Sequence, residues 1–224
     1  MSPNTEACLL FDIDGTLVDT DRIHILAFND ITRLYGVEVD EETYKKHVSG
    51  RINSAIFADL LPHVPVTEHE AIGHRKEARF RELATDMAPL EGLIDVLDWA
   101  DSVGLRYAAV TNAPRENAAL VLSTLQVTDR FAAIILADEL AHAKPHPLPY
   151  LTGLARLQGD AARSVAFEDS KAGVTSAKAA ELGVIGMTTS LDAPTLIATG
   201  ASLTAPDYRD DELRRYLRDR TGKP

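Results

Sequence analysis

The chain has 224 residues, 45% of them hydrophobic and 25% charged, the balance of a soluble globular protein large enough for one main core and a modest insertion. A formal net charge of −11 excludes a protein that grips nucleic acid through a broad basic face, because neutralising phosphates takes clustered Lys and Arg. It leaves room for a small phosphorylated metabolite as partner, since a metal ion and one or two basic side chains supply local positive charge inside an acidic molecule.

The N-terminal run Met1-Ser2-Pro3-Asn4-Thr5-Glu6 has no basic patch or long apolar stretch, and nothing later approaches a membrane span, so a cytoplasmic protein without membrane contact is expected. Ala7-Cys8-Leu9-Leu10-Phe11 follows as a buried strand over Cys8 to Phe11. Cys8 is the only cysteine, which rules out an internal disulfide and predicts a packed thiol. The strand ends in Asp12-Ile13-Asp14-Gly15. Side chains two apart in extended chain point the same way, so Asp12 and Asp14 can converge, and two converging anions call for a cation. A bland alternative exists, because Asp-Gly pairs also serve as ordinary turns.

From about Asp19 to Met87 the pattern is helical, with Ile23, Leu26, Ala27, Asp30, Ile31 and Leu34 at helical spacing and Pro62 and Pro65 separating pieces. This interval is expected to form a lid between the first and second strands. From about Leu90 onward, apolar runs alternate with amphipathic stretches, which predicts an α/β fold with a parallel, Rossmann-like sheet flanked by helices. Further strands are expected at Arg106 to Thr111, Ala133 to Leu136, Ser164 to Phe167 and Val184 to Met187. Helices are expected at Gly92 to Val103, Arg115 to Leu125, Leu148 to Leu157 and Lys171 to Leu182. The tail from Asp210 to Lys223 reads as a surface helix with an apolar stripe of Leu213, Tyr216 and Leu217.

Polar groups gather where these strands end. Thr111-Asn112 offers a hydroxyl and an amide that can hold an oxyanion, although such residues also cap helices and Ala113-Pro114-Arg115 looks like a helix start. Lys144 lies in a loop stiffened by Pro145 and Pro147; a lone loop lysine is more often simply solvated. Glu168 and Asp169 follow another apolar run, and their repulsion with Asp12 and Asp14 is removed by a divalent ion. Oxygen ligands without a His or Cys set favour Mg²⁺.

The string FDIDGTLVDTD resembles the first signature of the haloacid dehalogenase superfamily, and Thr111, Lys144 and Phe167-Glu168-Asp169-Ser170-Lys171-Ala172-Gly173-Val174 resemble its second, third and fourth motifs in order. The similarity is to members of the β-phosphoglucomutase and phosphoglycolate phosphatase type. It implies a core of residues 1–18 and 88–224 with a helical cap over 19–87. It also implies Asp12 as nucleophile, Asp14 as acid and base, and Thr111 and Lys144 holding the phosphoryl group. Asp12, Asp169 and the Asp14 backbone carbonyl would bind Mg²⁺, with Glu168 joining directly or through water. The expected reaction is hydrolysis of a small phosphate monoester through an aspartyl-phosphate, by an enzyme whose monomer suffices. Dehalogenation is disfavoured, since dehalogenases of the family lack the second Asp.

Four residues are candidates for substrate contact: His24, Asn112, and Arg51 and Asn53 from Val48-Ser49-Gly50-Arg51-Ile52-Asn53, which resembles the family's specificity loop. His24 as a locally packed side chain and Arg51 as a surface ion pair are the plainer readings. A β-phosphoglucomutase-type mutase is the runner-up, disfavoured because Asn53 stands where the mutase arginine belongs and Thr111-Asn112-Ala113 replaces Ser-Ala-Ser. A non-catalytic binding protein on the same fold is the remaining alternative. Lys45 and Lys46, the candidates for Schiff-base chemistry in the cap, read as surface lysines.

Overall fold

In the computed structural model, which describes residues 6–224, six parallel strands form one sheet in the order β3-β2-β1-β4-β5-β6. They are β1 (Cys8–Phe11), β2 (Arg106–Thr111), β3 (Ala133–Leu136), β4 (Val165–Glu168), β5 (Gly183–Met187) and β6 (Leu203–Ala205). The stretch read for a targeting signal falls mostly on residues 1–5, outside the described residues. No described helix is long and apolar enough to cross a membrane.

The strands are continuous apolar runs because both faces of the sheet are covered. In β1, Leu9 and Phe11 join one layer with Tyr107, Val165 and Phe167, while Cys8 and Leu10 join the other with Val110 and Ala166. Helices α5 (Leu93–Ser102), α6 (Arg115–Thr124) and α10 (Asp211–Thr221) cover the first face; α7 (Leu148–Leu157), α8 (Lys171–Ala179) and α9 (Ala193–Thr199) cover the second. Phe11 and Phe167, paired in register across β1 and β4, stack at 4.4 Å between centroids. Cys8 is a buried thiol against Ser164, and burial raises its pKa.

Between β1 and β2 the chain is helical from α1 to α5. Helices α1 (Asp21–Thr32), α2 (Glu41–His47), α3 (Asn53–Leu60) and α4 (Val66–Leu83) enclose a separate apolar cluster around Phe28, Tyr44, Phe57 and Ile72, whereas α5 packs on the sheet. The expected apolar stripe of α1 is met in part. Ala27 is buried and Ile23 and Ile31 pack partly against the apolar clusters, but the buried face also takes in His24, Phe28, Asn29 and Thr32, and Leu26, with Leu34 in the turn that follows, is exposed, because this helix faces both the cap interior and the crevice below it. β6 and α9, three and seven residues long, were not expected from the sequence; neither spans enough chain to display a period.

β1 has β2 on one side and β4 on the other, so the chain reverses its direction of travel across the sheet at β1. Crossovers diverge there and leave a crevice at the carboxyl ends of the strands.

Candidate active site

Asp12 follows β1, Glu168 ends β4 and Asp169 comes next, so the β1–β4 pairing brings three buried carboxylates together. One oxygen from each lies within 4.8 Å of the others, the one such cluster of potential ligands among the described residues. The buried Lys144 ammonium donates to Asp12 Oδ1 at 2.6 Å and Glu168 Oε1 at 2.5 Å, and the Tyr150 hydroxyl donates to the same Glu168 oxygen at 2.6 Å. Two of the three acids thus share one ammonium, and Asp169 instead accepts from the Ser190 hydroxyl. Burial outweighs the pull of Lys144 and, with Glu168 and Asp14 nearby, pushes the Asp12 carboxyl up to about 8. Burial, then Asp12, Glu168 and Asp21, push Asp169 well above the ordinary range. A hard, oxygen-only donor set with uncompensated charge fits a divalent cation.

That imbalance has a pH signature. Between the ordinary carboxyl value of 3.8 and about 8, native Asp12 binds more protons than the unfolded chain, so metal-free stability falls as pH rises through that window. A cation displaces those protons and removes the penalty. Addition of Mg²⁺ should therefore raise Tm more at pH 8 than at pH 5.5 in thermal unfolding; a shift equal at both or larger at the lower pH would contradict the assignment.

The Asp14 carboxylate lies outside this cluster. β1 stops at Phe11 and the chain bends, so Asp14 Oδ1 instead accepts from Thr20 Oγ1 at 2.7 Å and meets His24 Nε2 at 3.3 Å. Buried Lys76 donates to His24 Nδ1 at 3.0 Å, which leaves the imidazole proton on Nε2, aimed at Asp14. Burial would raise the Asp14 carboxyl, but His24, Thr20 and Lys76 outweigh it and hold it below its ordinary value. The His24 ring stacks on Phe80 at 4.1 Å, so the imidazole is fixed from two sides.

Across the crevice, the cap is closed. Asn112 Nδ2 donates to Gly50 O at 2.9 Å while Asn112 Oδ1 accepts from Lys144 N at 3.2 Å, so one amide joins the cap loop to the lysine loop. Thr111 is buried and its hydroxyl accepts from Ala113 N; neither residue caps α6, whose N-cap is Pro114. Arg51 lines the cavity but its guanidinium is engaged within the cap by Asp59 and the His47 carbonyl, and Asn53 donates to Glu77 Oε1 at 2.8 Å. Lys45 and Lys46 are exposed. Gly50 has φ +71°, and a Cβ there would lie 2.3 Å from Ser170 Oγ. Gly50→Ala should hold the cap off the core and lower kcat/KM by roughly tenfold or more, without a matching loss of Tm; unchanged kinetics would show that this contact is dispensable.

The sequence reading missed Lys76, Glu77 and Asn117. Glu77 accepts from Lys76, Asn53 and, at 2.6 Å, Asn117 Nδ2 of α6; Arg81 in turn donates to Asn117 Oδ1. A signal was present. In α4 the buried face runs His69, Ile72, Gly73, Lys76, Glu77, Phe80, so two charges interrupt an otherwise inward stripe. Tyr150 was read only as helix, and Ser190 lay in a segment without pattern.

An acidic cluster and a buried lysine at the carboxyl ends of a parallel sheet, under a helical cap inserted after β1, define a capped α/β hydrolase. The chain matches the family Haloacid dehalogenase-like hydrolase over residues 9–187 and belongs to it. It is 33% identical to the protein CbbY of Rhodobacter capsulatus over 92% of each chain. Identity is 29% to a phosphorylated carbohydrates phosphatase of Thermotoga maritima, over 93% of this chain and 99% of that one. The crystal structure of CbbY from Rhodobacter sphaeroides with xylulose-(1,5)bisphosphate superposes with a TM-score of 0.80 at 26% identity, covering 92% of this chain and 96% of that one.

Proposed function

We propose that the protein is a Mg²⁺-dependent phosphatase acting on a small phosphorylated sugar, with residues 19–87 as its lid. The observation that carries this reading is the Asp12–Lys144–Glu168–Asp169 cluster opening, beside Asp14, into a cavity of about 960 Å³ under the closed cap. That volume suits a sugar-sized leaving group, whereas a two-carbon glycolate would fill little of it. The sugar bisphosphate bound to the Rhodobacter sphaeroides relative and the carbohydrate phosphatase of Thermotoga maritima support the same class.

In this reading the Asp12 carboxylate attacks phosphorus, and the P–O bond to the sugar breaks as Asp14, ionised at rest and protonated by the monoanionic ester as it binds, gives the leaving oxygen that proton. Water then attacks the aspartyl-phosphate, returns a proton to Asp14 and frees Asp12. Lys144 and Thr111 hold charge on the phosphoryl oxygens. Asp12, Asp169 and the Asp14 carbonyl, with Glu168, would hold Mg²⁺, which supplies Lewis-acid charge and keeps Asp12 ionised at neutral pH. His24 orients Asp14 and shares its proton. Cavity-lining Asn112, Arg51 and Asn53 would border the leaving group.

A phosphomutase is the second reading, favoured by the direct contact of His24 with Asp14. Phosphate release from a panel of sugar phosphates, with Mg²⁺ and with EDTA, decides between them. Mg²⁺-dependent stoichiometric release supports the phosphatase; conversion of one sugar phosphate isomer to another without release would overturn it.

A further inference from the structure

We infer that Ser190, through the hydroxyl it shares between Asp169 and Asp21, couples occupancy of the metal site to closure of the cap. This rests on the reading of the acidic cluster as a cation site.

Ser190 follows β5 and is 1% exposed. Its Oγ lies 2.6 Å from Asp169 Oδ2 and 2.7 Å from Asp21 Oδ2. The segment is seated firmly, since the neighbouring Thr189 hydroxyl donates to Gly15 O. Gly15 makes room: a Cβ there would lie 2.0 Å from Asp169 Oδ2 and 3.2 Å from Ser190 Oγ. On the other side, Asp21 is the first residue of α1. A path of three side chains therefore runs from the acidic cluster, Asp169 to Ser190 to Asp21, to the first turn of the cap.

A hydroxyl has one proton, so Ser190 can donate to one carboxylate at a time. Without a cation, Asp169 and Asp21 compete for it. A divalent ion at the cluster takes up the charge of Asp169, and the Ser190 proton turns to Asp21. The first turn of α1 then gains a charge-assisted bond to the core, made in the closed arrangement of the cap. Linkage requires the converse, that closure strengthens metal binding.

The test uses Mg²⁺ titration calorimetry together with spin-label distances between cap and core. Labels at Lys46→Cys in α2 and Arg156→Cys in α7 report closure, while Cys8 is buried and silent. In the otherwise unaltered protein Mg²⁺ should bind and shorten the distance. Ser190→Ala should weaken Mg²⁺ binding by roughly tenfold or more and abolish the distance response. Ser190→Thr should restore both, and Asp21→Asn should lose the response and, by the same linkage, weaken Mg²⁺ binding as well. Circular dichroism confirms that each variant folds. An undiminished response in both Ser190→Ala and Asp21→Asn would overturn the coupling alone. Failure of the unaltered protein to bind Mg²⁺ would overturn the cation reading itself.

Discussion

Asp12→Asn should lower phosphate release by on the order of 10⁴-fold or more, because in the proposed mechanism Asp12 is the group that becomes covalently linked to phosphorus. Its effect on stability should run the other way. Asp12 is one of three clustered acids, two of which share one ammonium, and burial raises it to about 8. Removing its charge leaves Lys144 paired with Glu168 at 2.5 Å and relieves repulsion on Asp169. In EDTA at pH 8 the variant should therefore melt no lower than the parent, and the gain in Tm from Mg²⁺ should shrink. Substantial residual turnover would refute the nucleophile, and a Tm several degrees lower would refute the charge argument. Activity and unfolding measured on the same preparation separate the two.

Lys144→Met should damage both properties. The side chain keeps its length and loses its charge, leaving Asp12, Glu168 and Asp169 buried without a cation. Removing one partner of a buried pair costs about 3–5 kcal/mol, and that loss should appear in EDTA at pH 8. It should shrink at pH 5.5, where Asp12 takes up a proton instead. Mg²⁺ should recover part of it, so the metal should raise Tm more in the variant than in the parent. In the parent, burial pulls the Lys144 ammonium down but Asp12 and Glu168 outweigh this and hold it above 10.5. Its stabilising contribution is therefore complete below that pH and lost only as pH rises through the higher native value. Turnover should fall by roughly 10²- to 10³-fold, the usual loss for one charge-stabilising donor. A Tm equal to the parent's in EDTA at pH 8 would show that the Lys144 charge does not hold this site together.

The strands of the core were legible because a sheet buried on both faces demands unbroken apolar runs, and β1, β2 and β3 occupy the segments those runs predict. β4 begins one residue later than expected, at Val165, and ends on Glu168, which places that acid within the sheet rather than after it. Helices on the sheet were legible for the same reason. The cap was legible as helical, but the rotation of α1 was not. His24 is polar and yet buried because it faces the crevice beneath the cap, and Thr32 because its hydroxyl donates to the Val37 carbonyl, while Leu26 is exposed.

Charge, the strand-end acids and the ordered motifs were thus determined by sequence alone, since each depends on neighbours within a few residues. Which groups meet across the crevice was decided by the tertiary structure. Asp14 turns from the acidic cluster toward His24, Lys76 selects the imidazole tautomer from 52 residues away, Asn112 joins the cap loop to Lys144, and Ser190 reaches Asp21 across 169 residues. The physical reason is directional. Hydrogen bonds of about 3 Å need donor and acceptor placed by packing, and the cap's position on the core is set by its whole buried surface, which no local run of residues encodes.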